Sequence, residues 1–366
     1  MVSGKEIILW LLLLPVMLYC LRMLTMIKHL SFQRKDPVLS SRLPSSLSVL
    51  IPFYNEEKNL PELLSCLEKQ MNIEQFELIF VDDHSSDASS SIITHWALSH
   101  PSIVVKIIMN TQKGKGKKHC IITGAEQANT HWILCIDADV SFSKDFLFAW
   151  KHTILKLPER KVFIPGLIFP RRVRNNFIEA FADVEQIMLT GFTLCTAKEG
   201  KPVLSSGANM LFRKDWFLKS NPFEGNLHVP SGDDMFMLQA ALPLGAGYNN
   251  DPRCFALTPS PNNWTHYFKQ RRRWFGKVKL LKIQGLQSLG ITSLLILWIP
   301  WINLLFIERS GISLVLTMVI WTLPFLANIT FYYQVTLLKD DTQNFFKLAL
   351  IHLVYPFVLL RVILNK

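Results

Sequence analysis

The sequence predicts an α/β domain with a mainly parallel sheet, carried between apolar helices. Two observations predict it. Between residues 47 and 139 short β-rich runs alternate with helical stretches, the pattern of βαβ units. Apolar runs close to the length that crosses a bilayer lie at both ends of the chain, and 49% of the 366 residues are hydrophobic against 18% charged, too apolar for an ordinary soluble enzyme.

The first element is the run "IILWLLLLPVMLYCLRMLTMI" over 7–27. A bilayer core of about 30 Å takes about 20 apolar helical residues, which the run supplies. It has no small-residue cleavage site and is followed by Lys28, His29, Arg34 and Lys35, so it reads as an uncleaved anchor rather than a signal peptide. Three further runs, over 291–307, 312–334 and 346–364, are candidate spans. Basic residues at the inner ends of the first two place 28–290 in the cytoplasm by the positive-inside tendency. The expected organisation is an anchor over 1–28, a linker over 29–46, a cytoplasmic α/β domain over 47–275, an interfacial amphipathic helix over 276–290, and about three membrane helices over 291–366.

The domain's elements follow in order. "SVLIPF" is a strand, "NLPELLSCLEKQ" a helix, "FELIFVDD" a strand, "SIITHWALSH" a helix, "IVVKIIM" a strand, and "HWILCIDAD" a fourth strand after the helix that follows Lys117. Beyond Asp139 a strand at "KVFIPGLIF", a helix at "FIEAFADVEQIML", a strand through "SGANMLFR" and a helix from Gly232 are expected. In open α/β sheets ligands bind beyond the carboxyl ends of the strands. The polar clusters "YNEE", "DDHSSD", "NTQKGKGKK" and "DAD" stand at those ends.

Charge and cysteines exclude several classes. The formal net charge of +11 gathers near the spans and in two short clusters rather than along one periodic face, which fits lipid headgroups and phosphate ligands and not nucleic acid. The six cysteines form no C-x-x-C pair, which argues against a zinc site or a disulfide framework.

Asp137 and Asp139, two apart at a strand's end, have the carboxylate chemistry that holds Mg²⁺ together with substrate phosphates, although a lone D-x-D also occurs in plain solvated turns. Asp82 and Asp83 end another strand, placed for a base edge or ribose hydroxyl, while Ser85, Ser86 or Asp87 caps the next helix. Lys113, Lys115, Lys117 and Lys118 with Gly114 and Gly116 precede a helix, where glycines admit close approach and lysines attract phosphate. A solvated basic loop is the plain alternative. Asp233 and Asp234 open a helix, as first-turn acids do, or supply a general base.

Taken in order, "IPFYNEE", "VDDHSSD", Asp137-Ala138-Asp139, Asp233-Asp234 and Gln270-x-x-Arg273-Trp274 resemble the inverting family 2 glycosyltransferases of GT-A fold. The resemblance is to the membrane-integrated kind related to cellulose, hyaluronan and glucosylceramide synthases, and it covers about residues 47–275. It implies that Tyr54, Glu56 and Asp83 help hold the nucleotide and that Asp137 lies near the ribose or diphosphate. It also implies that Asp139, with Asp137, binds a divalent metal, Mg²⁺ or Mn²⁺, and that Asp234 is the base. "SSGANMLFR", with Gly207 and Asn209, resembles the family's acceptor-side strand. The donor it implies is a UDP- or GDP-sugar, and the acceptor a lipid-linked or glycan hydroxyl at the membrane. Lys118 and His119 depart from the family's usual small residues. A processive polysaccharide synthase is the alternative reading, disfavoured by the small number of spans. A two-carboxylate hydrolase and a nucleotide-binding membrane scaffold or transporter rank below it.

In a helix Gln270, Arg273 and Trp274 fall at i, i+3 and i+4, on one face that can look into the pocket. Arg271, Arg272 and the lysines that follow read as membrane-facing cations.

Overall fold

The computed structural model describes residues 3–30, 47–172, 176–249, 251–339 and 345–364. Most of the expected linker, with Arg34 and Lys35, lies outside them.

Helix α1 (Gly4–His29) opens the chain. The domain follows as β1 (Leu47–Phe53), α2 (Leu60–Glu68), β2 (Phe76–Asp82), α3 (Ser89–Ser99), β3 (Val104–Met109), α4 (Lys117–Gln127), β4 (Trp132–Ile136), β5 (Ser141–Phe142) and α5 (Phe146–Lys156). Then come β6 (Phe163–Pro165), β7 (Ile168–Arg171), α6 (Phe177–Lys198), β8 (Asn209–Arg213), α7 (Lys214–Ser220), α8 (Asp233–Ala241), β9 (Ala256–Pro259) and α9 (Trp264–Val278). The C-terminal helices are α10 (Leu286–Asn303), α11 (Gly311–Thr336) and α12 (Phe345–Leu364).

The main sheet has the order β3-β2-β1-β4-β8-β6. β1 to β4 pair in parallel, and β8 joins β4 and β6 antiparallel. All seven residues of both β1 and β2 are buried, as expected for central parallel strands covered on both faces. One face packs on α2, α3 and α5 through Leu63, Ile93 and Trp150, and the other on α4 and α8 through Ile121 and Met237. The four carboxyl ends therefore open on the same edge.

Two expectations need correction. "KVFIPGLIF" is not one strand: β6 belongs to the main sheet, whereas β7 joins β5 and β9 in a second sheet. The break is at Gly166, where a Cβ would meet the Asn209 side chain at 2.4 Å, so the chain turns where only glycine fits. The amphipathic helix over 276–290 is likewise interrupted. α9 ends at Val278, and Gly285, in the left-handed region at φ 89°, caps the start of α10.

Among the described residues α1, α11 and α12 are long and apolar enough to cross a membrane. The run over 291–307 lies in α10 and a 3-10 turn after it. α1 packs lengthwise on α11, burying Leu9, Leu13 and Val16 against Leu316 and Ile320, with the Tyr19 hydroxyl donating to Asn328 Oδ1 at 2.5 Å. Its other face leaves Leu11, Leu14, Leu18 and Leu21 exposed, an apolar surface suited to lipid. α6 joins the two parts of the molecule: Gly191 approaches α11 so closely that a Cβ there would lie 2.5 Å from Val335.

Candidate active site

The loops after β1 and β2 are fastened to each other. Asn55 and His84 take left-handed conformations (φ 55° and 64°), turning the chain sharply at both strand ends. The Ser86 amide donates to Asn55 Oδ1 at 2.8 Å and the Glu56 amide to Ser89 Oγ at 2.8 Å. Asp82 is consumed here: its carboxylate accepts from the Ser85 amide at 2.7 Å and from the Ser90 hydroxyl. Asp83 instead accepts from Asn110 Nδ2 at 2.8 Å and the Gly116 amide at 2.6 Å, so it fastens the glycine-lysine loop to β2. The helix after this turn has Ala88 at its N-cap position, and of the three candidate residues Asp87 satisfies its first amide, accepting from Ser89 N at 3.0 Å.

A cleft of about 700 Å³ runs along the carboxyl ends of the strands. Of the residues singled out from sequence, Tyr54, Glu56, Asp83, Lys117, Asp137, Asp139, Asp233, Asp234, Gln270, Arg273 and Trp274 line it together. Asp82, Lys115 and Asn209 are not among its lining. Lys115 is exposed, and Asn209 is fully buried, its Nδ2 donating to the carbonyls of Leu167 (3.0 Å) and Cys254 (2.9 Å), where it joins the two sheets.

Lys117 is the junction of the site. Its Nζ lies 2.5 Å from Asp137 Oδ1 and 3.1 Å from Asp233 Oδ2, and donates to the Gly207 carbonyl at 2.7 Å. Burial opposes its charge, but the two carboxylates outweigh burial and hold the ammonium well above its usual range. Gly207 allows the approach, because a Cβ there would stand 2.4 Å from Asp233 Oδ2 and 2.8 Å from Lys117 Nζ. Beyond Lys117 the site has surplus negative charge. Burial, with Asp137 and Glu56 nearby, pushes Asp139 up to about 7.

The described residues contain no group of three or more His, Cys, Asp or Glu that would enclose a cation. Paired carboxylates completed by substrate phosphates are nevertheless a usual setting for Mg²⁺, and the under-neutralised charge of Glu56, Asp137 and Asp139 fits a divalent cation.

Asp233 and Asp234 begin α8 after Gly232 (φ 90°). Their environments drive them apart. Burial raises both, but Lys117 and Lys277 more than offset it at Asp233, whose carboxyl ends below its usual range. Asp234 stays above its usual range through burial and the neighbouring Asp233, although Lys277 Nζ lies 3.2 Å from its Oδ1. An acid raised in this way is better matched to proton removal near neutral pH.

Sequence reading missed the role of Lys118. It turns away from the cleft and is buried, donating to Asn226 O (2.7 Å), Asn226 Oδ1 (2.9 Å) and Val229 O (3.1 Å) beneath the Phe236 ring. Burial pushes its ammonium down to about 8. It anchors the segment that leads into Asp233.

On α9 the assignment of Arg271 to the membrane is overturned. Arg271 lines the cleft and is buried, paired with Glu185 of α6, whereas Arg272 is exposed. The cleft lining also includes Leu189, Thr190 and Thr193 of α6, together with Leu204, Leu281 and Leu286, the last at the start of α10.

Residues 48–217, a little under half the chain, match the model of "Glycosyl transferase family 2". Two curated relatives are the undecaprenyl-phosphate 4-deoxy-4-formamido-L-arabinose transferases of Proteus mirabilis and Pseudomonas fluorescens. Each is 39% identical, over 101 and 97 residues. Each match takes in 26% of this chain and only 29% and 28% of the relative's length, so the chain spans under a third of them. Among solved structures, the mannosyltransferase PcManGT from Pyrobaculum calidifontis, in complex with GDP-Man and Mn²⁺, superposes with a TM-score of 0.55 at 15% identity, over 99% of this chain and 97% of that one. Over residues 48–217 the chain is similar to the glycosyl transferase family 2 model, and its mainly parallel sheet with flanking helices has the GT-A fold shared with that solved structure.

Proposed function

We propose that the protein transfers a sugar, with inversion, from a nucleoside diphosphate sugar to a hydroxyl of a membrane-proximal lipid acceptor. The observation that carries this reading is the position of Lys117, which joins the Asp137 end of the cleft to the Asp233-Asp234 end. Donor-type acids and a candidate base thus share one cleft.

In this reading Tyr54, Glu56 and Asp83 bound the nucleoside end, and Lys117 stands beside the diphosphate. Asp139 and Asp137 would hold a divalent metal, which supplies Lewis-acid stabilisation of the departing diphosphate. Asp234 takes the proton of the acceptor hydroxyl as that oxygen bonds to the anomeric carbon. The bond from the anomeric carbon to phosphate breaks on the opposite face, and the nucleoside diphosphate leaves with the electron pair. Lys277 keeps Asp234 ionised until it receives the proton. Trp274 forms a wall for the acceptor, and Gln270 and Arg273 reach the acceptor or the diphosphate.

A lipid acceptor is supported by the apolar helices that accompany the domain, one of which, α10, contributes Leu286 to the cleft lining, and by the lipid phosphate named in the curated relatives. A nucleoside diphosphate sugar and Mn²⁺ are supported by the complex of the structural neighbour. We place the domain on the cytoplasmic side, where the basic flanks of the first spans point.

The test is to incubate detergent-purified protein with labelled UDP- and GDP-sugars, Mg²⁺ or Mn²⁺, and polar-lipid vesicles. Vesicle-dependent release of nucleoside diphosphate, with label passing into the lipid phase, is the expected result. No release with any donor defeats the reading, and a long homopolymer would replace single transfer with polymerisation.

A further inference from the structure

The Gln270-x-x-Arg273-Trp274 helix is braced by a buried acid, Glu185, at the wall of the same cleft. Glu185 Oε2 accepts from Arg271 Nε and from the Tyr267 hydroxyl at 3.1 Å, while its Oε1 accepts from the Tyr355 hydroxyl of α12 at 2.8 Å. The side chains of Arg271 and Glu185 are only 3% and 8% exposed. The Arg271 guanidinium lies 4.1 Å from the centre of the Trp274 ring and 4.6 Å from that of Tyr267, and donates to Gln270 Oε1. Gln270 and Trp274 are both tied to Glu185 through one arginine.

Burying such an ion pair costs desolvation, and apolar side chains of similar volume often hold a fold as well. What the pair gives that they would not is a fixed direction for each attached group. We propose that Glu185 is a positioning residue. Acting through Arg271 it sets Gln270 and Trp274 on the acceptor side of the cleft, and through Tyr355 it ties that setting to the apolar helix α12. The proposal rests on the glycosyl-transfer reading above.

The test uses the full chain in detergent with the UDP- and GDP-sugars, Mn²⁺ and polar-lipid vesicles. Tyr355→Phe removes one hydrogen bond and no charge, so it is expected to keep the wild-type melting temperature within a few degrees. It should raise the vesicle concentration for half-maximal nucleoside diphosphate release at least about threefold, with the Kd for UDP or GDP with Mn²⁺ unchanged. Glu185→Gln with Arg271→Met removes both charges together. This double variant should raise the same half-maximal concentration about tenfold or more while the nucleotide Kd stays within twofold.

A second readout needs no turnover. The acrylamide quenching of Trp274, isolated by difference from Trp274→Phe, should rise in both variants. Unchanged quenching and unchanged vesicle dependence overturn the proposal, as does a loss that only follows the folded fraction. Absence of release by the wild-type protein defeats the transfer reading instead, and quenching then decides the positioning by itself.

Discussion

Lys117 and Asp137 form a 2.5 Å ion pair at the carboxyl edge of the sheet, although one belongs to the glycine-lysine loop and the other to the Asp-Ala-Asp turn. With Asp233 on its other side, this lysine fixes the distance between the two halves of the cleft.

That distance depends on a missing side chain. Gly207→Ala places a methyl group 2.4 Å from Asp233 Oδ2 and 2.8 Å from Lys117 Nζ, so the ends of these side chains must shift. Donor affinity is expected to fall at least about tenfold, because a displaced buried ion pair loses the compensation for its desolvation. Isothermal titration with UDP or GDP and Mn²⁺ measures it, and wild-type affinity would contradict the role given to this contact.

Asp234→Asn removes the proton acceptor and leaves the Lys117 junction in place. Transfer is expected to fall by about 10²- to 10⁴-fold with nucleotide binding retained. In the pH profile, the acidic limb should lie above the ordinary carboxylate range, because Asp234 must be ionised and burial raises it. Lys277 favours the ionised form, so Lys277→Met should move that limb to still higher pH. A limb that stays in place in this variant would sever Asp234 from the rate.

Lys118→Met keeps length and loses the three donations that pin Asn226 and Val229. The loop into Asp233 should loosen, lowering kcat severalfold with little change in nucleotide Kd. Faster amide exchange over 222–232 would accompany it, and unchanged exchange there would refute the anchoring role.

The three arginines should behave differently from one another. Arg271→Gln leaves Glu185 buried without its cation, a change that costs about 3–5 kcal/mol in comparable sites and should appear as a large drop in melting temperature. Arg273→Gln should keep stability but lose at least about tenfold in transfer. Arg272→Gln, exposed, should change activity less than twofold, in line with surface substitutions generally. Equal effects at all three would return the run to a simple basic collar.

The central fold was legible because β1, β2 and β4 are apolar runs with polar residues placed after their ends, a local pattern. Asp137, Asp139, Asp233 and Asp234 were legible for the same reason, each standing at the boundary of an element. Arg271 was not, since the side of α9 it faces is decided by Glu185 and Tyr355, far off in sequence. Asp82 and Asn209 were singled out by position, but the Asp82 carboxylate accepts from a neighbouring amide and hydroxyl and Asn209 Nδ2 is taken up by two backbone carbonyls. The split at Gly166 depends on contact with Asn209, which no local pattern records.

The packing of α1 on α11 bears on how the chain is made. α1 is synthesised well before the helices it packs on, since the surface that covers Leu9, Leu13 and Val16 is supplied by Ile296 and Ile299 of α10 and Leu316 and Ile320 of α11. Between the two the whole catalytic domain must be synthesised. The seam of α1 therefore stays incomplete until α11 has been made, and the Tyr19–Asn328 bond closes a loop of some three hundred residues only late in translation. A nascent chain stalled before residue 311 would carry all the carboxylates of the site while the α11 side of that seam is still missing.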